Sequence, residues 1–248
     1  MLDLAAVDLY RKRGEPFPHT LFYGPPGVGK TYTALKIAEG TGYPYARFVA
    51  HSFDPDILSR VIPPYAIIID EIHSLSRAKA EKLYPYLEKR EGTILGCTTM
   101  LFKVPMPLRS RFIIVERMDL LEPQQIYNIL KNKSSGVSDE FLQTIAKVAK
   151  GSVRNALNLL VRATEFKTPQ DMLRTLEINE DGLTKLDLQY LSILKKMGTV
   201  SLSTLCRILS ESEETVLTEV EPYLLRKGYI KIDSRGRSLG IIPPGILE

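Results

Sequence analysis

A glycine-rich segment near the N-terminus carries the clearest chemical signal in the chain. It follows the pattern G-x-x-x-x-G-K-[ST] and reads Gly24-Pro25-Pro26-Gly27-Val28-Gly29-Lys30-Thr31. Glycines in such a loop let the backbone curl, so that successive N–H groups converge on the phosphates of a nucleotide. The lysine neutralises the β- and γ-phosphates, and the threonine hydroxyl ligates Mg²⁺. Residues 24–31 are called the phosphate loop below. They predict a site for ATP and Mg²⁺, and we include the next residue, Tyr32, among the predicted nucleotide-binding residues.

Two acidic residues predict the hydrolytic part of the same site. Asp70 and Glu71 end the apolar, β-branched run Tyr65–Asp70, which is typical of a strand buried on both faces. A carboxylate at the carboxyl end of a parallel strand faces the ligand crevice of the sheet. We expect Asp70 to hold Mg²⁺ through water and Glu71 to orient the water that attacks the γ-phosphate. The alternative interpretation is a charged strand terminus at a turn.

Two hydroxyl groups end the next predicted strand, Thr93–Thr99. If that strand lies between the strand before the phosphate loop and the strand before Asp70, it delivers a hydroxyl to the γ-phosphate and the attacking water. Thr99 is the better candidate and Thr98 the second. By itself, a pair of threonines at a strand end carries little information.

The elements around these residues predict an α/β fold. Residues 1–118 alternate strand-like and helix-like stretches, which implies a parallel sheet with helices on both faces. The predicted strands are Thr20–Tyr23, Ala46–Ala50, Tyr65–Asp70, Thr93–Thr99 and Phe112–Glu116, and the predicted helices include 32–39, Pro55–Val61 and Arg77–Arg90. The helix after the phosphate loop would direct its N-terminal dipole at the bound anion.

The remaining chain changes character twice. Residues 119–180 contain helical patterns only and predict a small all-α lid domain. Residues 181–248 predict a winged-helix domain. Its predicted elements are the helices Leu186–Met197, Leu202–Leu209 and Glu213–Arg226, the last kinked at Pro222, and a hairpin of Tyr229–Asp233 and Arg237–Ile241 around Ser234-Arg235-Gly236.

Composition excludes several classes of protein. The 248 residues are 44% hydrophobic and 25% charged, as in ordinary globular proteins, and no apolar run is long enough to span a membrane. The two cysteines, Cys97 and Cys206, are far apart, and His19, His51 and His73 have no metal-ligand spacing. The N-terminal segment places acidic residues before its basic cluster, the reverse of a secretory signal. We therefore expect a cytoplasmic protein without a disulfide framework or a structural metal.

Several motifs, in this order, resemble the RuvB family of AAA+ ATPases, the motors of Holliday-junction branch migration. They are GPPGVGKT, IIIDEIHSLS, EKLYPYLEK, LGCTT, PLRSRF, KGSVRNALNLL and EPYLLRKGYI…SRGR. The resemblance covers nearly the whole chain. It implies an AAA+ ATPase core at 1–118, DNA as a partner, and a homo-oligomer in the form of a ring or spiral.

The resemblance also implies roles for two arginines. Arg111, in PLRSRF, falls on the arginine finger, which reaches the γ-phosphate bound by the neighbouring subunit. A cation there stabilises charge on the transferring phosphoryl group. Arg154 matches the sensor-two arginine, which leans from the lid onto the bound phosphates. For both, the alternative is an arginine that serves only as a solvated surface group.

The sequence of the predicted winged-helix domain allows either DNA or a protein as its partner. Its third helix is acidic and would be repelled by phosphate, since Glu211, Glu213, Glu214, Glu219 and Glu221 crowd it. Positive charge gathers instead on the wing, at Lys231, Arg235 and Arg237, and the family resemblance implies an Arg-Gly-Arg wing on the DNA backbone. We prefer the interpretation that the wing contacts the phosphates of duplex or branched DNA. The alternative is that the domain docks a protein.

One departure from the family concerns a partner protein. RuvB has a β-hairpin between its Asp-Glu helix and its Thr-Thr strand, with which it grips the junction-recognition protein RuvA. Here residues 88–92 pass directly to the strand, so we expect no binding to RuvA and a different protein partner, if one is used.

The sequence is compatible with three functions. The leading hypothesis is an oligomeric, ATP-driven DNA motor of the RuvB type. The second is a helicase- or clamp-loader-type ATPase that remodels a protein ring. The third is a nucleotide-gated DNA-binding switch with little turnover, against which Glu71 and Arg111 argue.

Overall fold

The computed structural model describes residues 4–134 and 136–247, and the chain divides into two compact units. The first unit comprises the chain up to residue 24 together with residues 29–119. The second comprises residues 25–28, which are the tip of the phosphate loop, and the chain from residue 120 onward. None of the helices in the described ranges is long and apolar enough to cross a membrane.

The first unit alternates helices and strands. Its elements are α1 (Leu4–Arg13), β1 (Thr20–Tyr23), α2 (Lys30–Thr41), β2 (Tyr45–Val49), β3 (Ala66–Asp70), α3 (Arg77–Lys89), β4 (Thr93–Thr98), α4 (Met106–Arg109) and β5 (Ile114–Arg117). Short 3₁₀ helices occupy Pro55–Arg60, Ile72–Ser74 and Leu101–Lys103. All five predicted strands are present, each shifted by two residues or fewer at its start.

The strands form one parallel sheet in the order β2-β3-β4-β1-β5. β4 therefore lies between β1 and β3, as the argument for Thr99 required. Because all strands run the same way, the carboxyl ends of β1, β3 and β4 meet at one edge of the sheet. That edge is where open α/β sheets bind their ligands.

The three central strands β1, β3 and β4 are buried on both faces, and their residues alternate between two apolar clusters. Leu21, Ile67 and Ile69 pack on one face, where α3 contributes Ala80, Leu83 and Leu87. Phe22 and Ile68 pack on the other face, where α1 contributes Val7, and α2 contributes Ala34, Ile37 and Ala38. Strands covered on both sides have no face toward water, so their sequences are nearly continuous apolar runs rich in β-branched residues. The prediction of helices on both faces is confirmed.

His19 is a buried histidine at the start of the sheet. Its side chain is 1% exposed, and its Nδ1 accepts a hydrogen bond from the Ile94 backbone N–H at 2.9 Å. Burial, together with the positive charge of Arg90, lowers the pKa of His19 from 6.5 to about 4. Because the unfolded chain binds a proton at His19 between these two pKa values and the folded chain does not, folding stability falls as the pH falls through that window.

We expect the free energy of unfolding to fall by about 2 kcal/mol between pH 7.5 and pH 5 through His19 alone. Denaturant melts of the parent and of His19→Asn at both pH values measure this. Asparagine keeps an acceptor for the Ile94 N–H but does not titrate, so the variant should lose less stability on acidification. An identical pH dependence in the two proteins would contradict the role of His19.

The second unit is helical with one hairpin. Its elements are α5 (Pro123–Lys133), α6 (Asp139–Val148), α7 (Val153–Ala163), α8 (Pro169–Thr175), α9 (Lys185–Met197), α10 (Leu202–Leu209), α11 (Glu213–Thr215), α12 (Glu221–Arg226), β6 (Ile230–Asp233) and β7 (Gly236–Leu239). Two separate apolar clusters hold it. One is formed mainly by α5–α8 and the other mainly by α9, α10, residues 216–224 and the hairpin.

The predicted single helix Glu213–Arg226 is interrupted. Residues Val216–Val220 form a π-helical turn between α11 and α12, and the Glu221 N–H donates to the Val216 carbonyl, five residues back. Pro222 has no N–H and its ring crowds the preceding turn, so the turn before it widens. The predicted kink at Pro222 is thus a π-helical turn that precedes the proline.

The hairpin turn is one residue shorter than predicted. Asp233 pairs with Gly236, so Ser234 and Arg235 alone form the turn and Gly236 already belongs to β7. Gly236 has φ +141°, and a Cβ there would lie 2.4 Å from the Val200 carbonyl oxygen. Only glycine fits this close approach.

Candidate active site

The phosphate loop leaves the carboxyl end of β1 through a glycine that has no substitute. Gly24 has φ +144°, and a Cβ there would lie 1.9 Å from the Met118 carbonyl oxygen. Gly29, directly before α2, is a second glycine with positive φ (+98°), a backbone conformation that residues with a side chain disfavour. Because Pro25 and Pro26 carry no N–H, the N–H donors of the loop after Gly24 are those of residues 27–31.

Lys30 and Thr31 begin α2 at the same edge of the sheet. Lys30 is 7% exposed, and its Nζ donates to the Gly24 carbonyl at 2.9 Å. The Thr31 hydroxyl donates to Asp70 Oδ1 at 2.9 Å and lies 3.1 Å from Oδ2. Tyr32 does not join this cluster, because its side chain is exposed and lies under the Lys36 ammonium.

Asp70 has a second partner, which the sequence did not reveal. Arg47 Nη2 donates to Asp70 Oδ2 at 2.6 Å. Arg47 lies on β2, whose register on β3 places Val49 beside Asp70. Only that register brings the two charges together.

The oxygens of Thr31 and Asp70 suit a magnesium ion. Both are hard oxygen ligands within 3.1 Å of each other, and Mg²⁺ takes such ligands in an octahedral arrangement. No group of three or more His, Cys, Asp or Glu ligands occurs in residues 4–134 and 136–247. An ion held here would therefore take its other ligands from water and phosphate, as Mg²⁺ does in nucleotide sites.

Glu71 turns the chain sharply at the end of β3. Its backbone is left-handed, with φ 50° and ψ 44°, a conformation that costs a non-glycine residue about 1–2 kcal/mol and clusters at functional sites. Its carboxylate accepts a hydrogen bond from Thr99 Oγ1 at 3.4 Å and lies 3.2 Å from His73 Nδ1.

Of the two threonines, only Thr99 contacts Glu71. Thr98 is fully buried, and its hydroxyl accepts the Met100 N–H at 3.0 Å and contacts His73 Nδ1 at 2.9 Å. The structure therefore places Thr99 next to the candidate catalytic carboxylate and uses Thr98 to fix His73. His73 contacts both Thr98 and Glu71, as expected of a residue with a structural or coupling role.

Arg111 follows α4 and lies on the last turns of α3. Its Nε donates to Glu88 Oε1 at 2.9 Å, its Nη1 donates to the Pro107 carbonyl at 2.5 Å, and its guanidinium carbon lies 4.1 Å from the centre of the Tyr84 ring. The side chain is 29% exposed. Neither Glu88 nor Tyr84 had been singled out from the sequence, although Tyr84 lies in the LYP motif.

The tip of the phosphate loop lies in the second unit, at the start of α7. Ser152 caps that helix by accepting the Asn155 N–H at 3.2 Å, and the Arg154 N–H donates to the Gly27 carbonyl at 3.2 Å. Pro25, Pro26 and Gly27 line a cavity of about 370 Å³ together with Arg154. Val28 is buried.

The wing presents two of the three predicted basic residues to solvent. Lys231 is exposed, and the Arg235 side chain at the hairpin turn is 80% exposed, with Nη2 3.1 Å from Asp233 Oδ2.

The structure argues against Arg237 as a phosphate contact. Its side chain is 15% exposed, and it donates from Nε to Glu221 Oε1 at 2.8 Å and from Nη2 to Oε2 at 3.4 Å. Tyr190 also donates to Glu221 Oε1, at 2.9 Å, and burial followed by the charge of Glu221 raises the pKa of Tyr190. Glu221 therefore does not add to the acidic surface of the third helix, because its charge is buried and paired.

Two family models match separate parts of the chain. Residues 180–241 match a family model described as the RuvB C-terminal winged helix domain, and residues 20–120 match the ATPase family associated with various cellular activities (AAA). The chain is 34% identical, over 273 residues, to the Holliday junction branch migration complex subunit RuvB of a Nitratiruptor species, covering 93% of this chain and 82% of the relative. It is 32% identical to the corresponding subunit of Prochlorococcus marinus, covering 91% of this chain and 76% of that protein.

Among solved structures, the chain is similar to the Thermotoga maritima RuvB Holliday junction branch migration motor. The TM-score is 0.85 at 28% identity, covering 95% of this chain and 89% of the other.

Proposed function

The chain belongs to the RuvB family of AAA+ ATPases, and from this premise we propose that it hydrolyses ATP to move duplex or branched DNA as a homo-oligomeric motor. One observation carries the proposal most directly. Thr31, Asp70, Glu71 and Thr99 come from three separate elements and meet in two hydrogen-bonded pairs at the carboxyl edge of the sheet. This arrangement supports phosphoryl transfer to water, which needs a metal site beside the phosphates and a group that orients the attacking water.

Each residue has a distinct task in this proposal. Residues 24–31 cradle the phosphates, Lys30 neutralises them, and Thr31 and Asp70 would hold Mg²⁺. Such an ion would offset the negative charge that develops on the phosphate oxygens. Glu71 orients the attacking water and accepts its proton, and Thr99 fixes the Glu71 carboxylate.

Two arginines complete the site. We assign Arg111 to the phosphates bound by a second copy of the chain, which makes a ring or spiral the active form. We assign Arg154 to the phosphates of its own subunit, supported by the hydrogen bond between its backbone and Gly27. A cytoplasmic location fits a motor that acts on DNA.

The hydrolysis assay that tests this function compares three conditions: no DNA, linear duplex and a four-way junction. The DNA-motor proposal expects DNA to stimulate ATP turnover and ATP to drive strand exchange in the junction. Turnover that ignores DNA but responds to a protein ring would favour the second hypothesis, a ring-remodelling ATPase.

We further propose that the motor works without RuvA. α3 ends at Lys89 and β4 begins at Thr93, so residues 90–92 alone connect them, and no hairpin is present there. Tight retention of this chain by immobilised RuvA would contradict that proposal and point to a different docking surface.

The wing should hold DNA through phosphates and not through base edges. Changing both Lys231 and Arg235 to Ala removes two exposed charges from a tight turn. Each lost phosphate contact flattens the slope of log affinity against log salt by about 0.9 on duplex DNA, so the double variant should lose about 2 from the slope. Its affinity at fixed low salt should fall roughly tenfold on unrelated sequences. A salt titration of duplex binding measures both.

Arg162→Ala provides the matched control for this titration. Arg162 is an exposed arginine on α7, paired with Glu165 much as Arg235 is paired with Asp233. Its loss should leave the slope unchanged. If the double wing variant also keeps the parent slope, the winged helix is a protein-docking module.

A further inference from the structure

The arginine assigned to the neighbouring active site is held on three sides by its own subunit. A guanidinium group has five N–H donors. In Arg111, Nε is used by Glu88 and one Nη1 hydrogen by the Pro107 carbonyl. Within the described ranges, Arg111 Nη2 has no hydrogen-bond partner. Three N–H donors therefore stay available, one on Nη1 and two on Nη2.

Tyr84 fixes the plane of the same group. The guanidinium carbon lies over the ring, 4.1 Å from its centre, which is well within the range of a cation–π contact. This contact and the hydrogen bonds to Glu88 and Pro107 together restrict rotation of the guanidinium. An unrestrained arginine would instead lose much of its side-chain freedom on meeting a phosphate.

Glu88 does not compete with an incoming phosphate for the same donors. Its carboxylate occupies Nε, whereas a phosphate can be bound through Nη2 and the second Nη1 hydrogen. Contact with phosphate therefore needs no prior rupture of the Glu88 pair. This geometry favours orientation of Arg111 over its sequestration.

The neighbouring surface also suits an anion. Arg111 lines a cavity of about 300 Å³ together with Arg90, Ser110 and Ile113. Arg90 is exposed and directly follows α3, so a second positive charge borders the cavity. Glu88, in the last turn of α3, also lines this cavity, where its charge is paired with Arg111.

We propose that Glu88 and Tyr84 are positioning residues that hold the Arg111 guanidinium in the orientation in which it meets the triphosphate bound by a second copy of this chain. The proposal rests on the assignment of Arg111 made above. Because Arg111 acts on charge that develops in the transition state, loss of either residue should lower kcat and leave KM for ATP unchanged.

The first test measures ATP turnover of single variants with duplex DNA present. Glu88→Ala should lower kcat about tenfold, and Tyr84→Leu should do the same, whereas Tyr84→Phe keeps the ring and should retain most activity. Glu81→Ala is the matched control, since Glu81 lies on the same helix and pairs with Arg77 instead. It should behave like the parent.

A subunit-mixing test separates positioning from general damage. Lys30→Ala chains lack a phosphate site but keep the finger, and Arg111→Ala chains have the opposite defect, so mixtures should recover activity. Adding Glu88→Ala to the Lys30→Ala chain should reduce that recovery about tenfold. Adding it to the Arg111→Ala chain should not, because that chain contributes no finger.

The outcomes of the two tests are distinct. Equal recovery with either placement, or faster turnover in Glu88→Ala, would overturn the positioning role while leaving the finger intact. Full turnover in Arg111→Ala alone would instead remove the finger assignment, and the positioning proposal would fall with it.

Discussion

Replacement of Glu71 by glutamine is expected to lower ATP turnover by about a hundredfold or more while ATP binding is retained. Glutamine keeps the shape of the side chain and the contact with Thr99, but it cannot accept the proton of the attacking water. The left-handed backbone at residue 71 costs glutamate and glutamine about the same free energy, so the stability of the fold should change little. Single-turnover hydrolysis and equilibrium binding of a fluorescent ATP analogue measure the two effects separately.

Lys30→Ala is the contrasting variant for that experiment. Lys30 contacts ground-state phosphates, so its loss should abolish nucleotide binding itself. Two variants at one site would then fail for different reasons, one in binding and one in chemistry. Parent-like turnover in Glu71→Gln would remove Glu71 from the catalytic role.

Arg111→Ala is expected to lower turnover by about a thousandfold without weakening ATP binding, since an arginine finger contributes roughly that factor in phosphoryl transfer. The side chain is partly exposed and its partners, Glu88 and Tyr84, lie near the surface of α3, so the fold should tolerate the change. The measurement is kcat with DNA present, alongside a thermal melt.

Mixing two variant chains tests whether Arg111 acts on the phosphate site of its own subunit or on that of a neighbouring subunit. Equal amounts of Arg111→Ala and Lys30→Ala chains should regain a substantial fraction of parent activity, because some interfaces pair an intact phosphate loop with an intact finger. Mixed oligomers that form, as shown by differently tagged chains, yet stay inactive at every ratio would indicate that Arg111 acts in its own subunit or not at all.

The sheet and its active edge could be predicted because their signals are local. Runs such as Ile67–Ile69 are apolar and β-branched, which favours a strand covered on both faces, and the phosphate loop fixes where β1 ends and α2 begins. The place of β4 between β1 and β3 then brings Thr99 to Glu71. The position of the strands and of the phosphate loop follows from the order of residues, whereas the place of β4 in the sheet comes from the structure.

The errors and omissions concern partners that are distant along the chain. Arg237 looked like a surface charge because its place in the hairpin is local, whereas its burial depends on Glu221, which the π-helical turn before Pro222 helps to place. The pairing of Arg47 with Asp70 depends on strand register. Sequence patterns report neither packing partners nor helix defects of this kind.

The buried ion pair of Arg237 has a mechanical consequence. Besides Glu221, the Arg237 backbone exchanges two hydrogen bonds of 2.8 Å with Val200, and the Gly240 N–H donates to the Tyr229 carbonyl, also at 2.8 Å. The bonds of Arg237 anchor β7 to the rest of the domain one residue after the turn closes, and the bond between Gly240 and Tyr229 joins the two sides of the hairpin at its base. A force applied at the two-residue tip is therefore carried as tension into the folded domain and is not dissipated by bending of the hairpin. A hairpin anchored in this way resists bending, which suits the proposed contact of the wing with DNA.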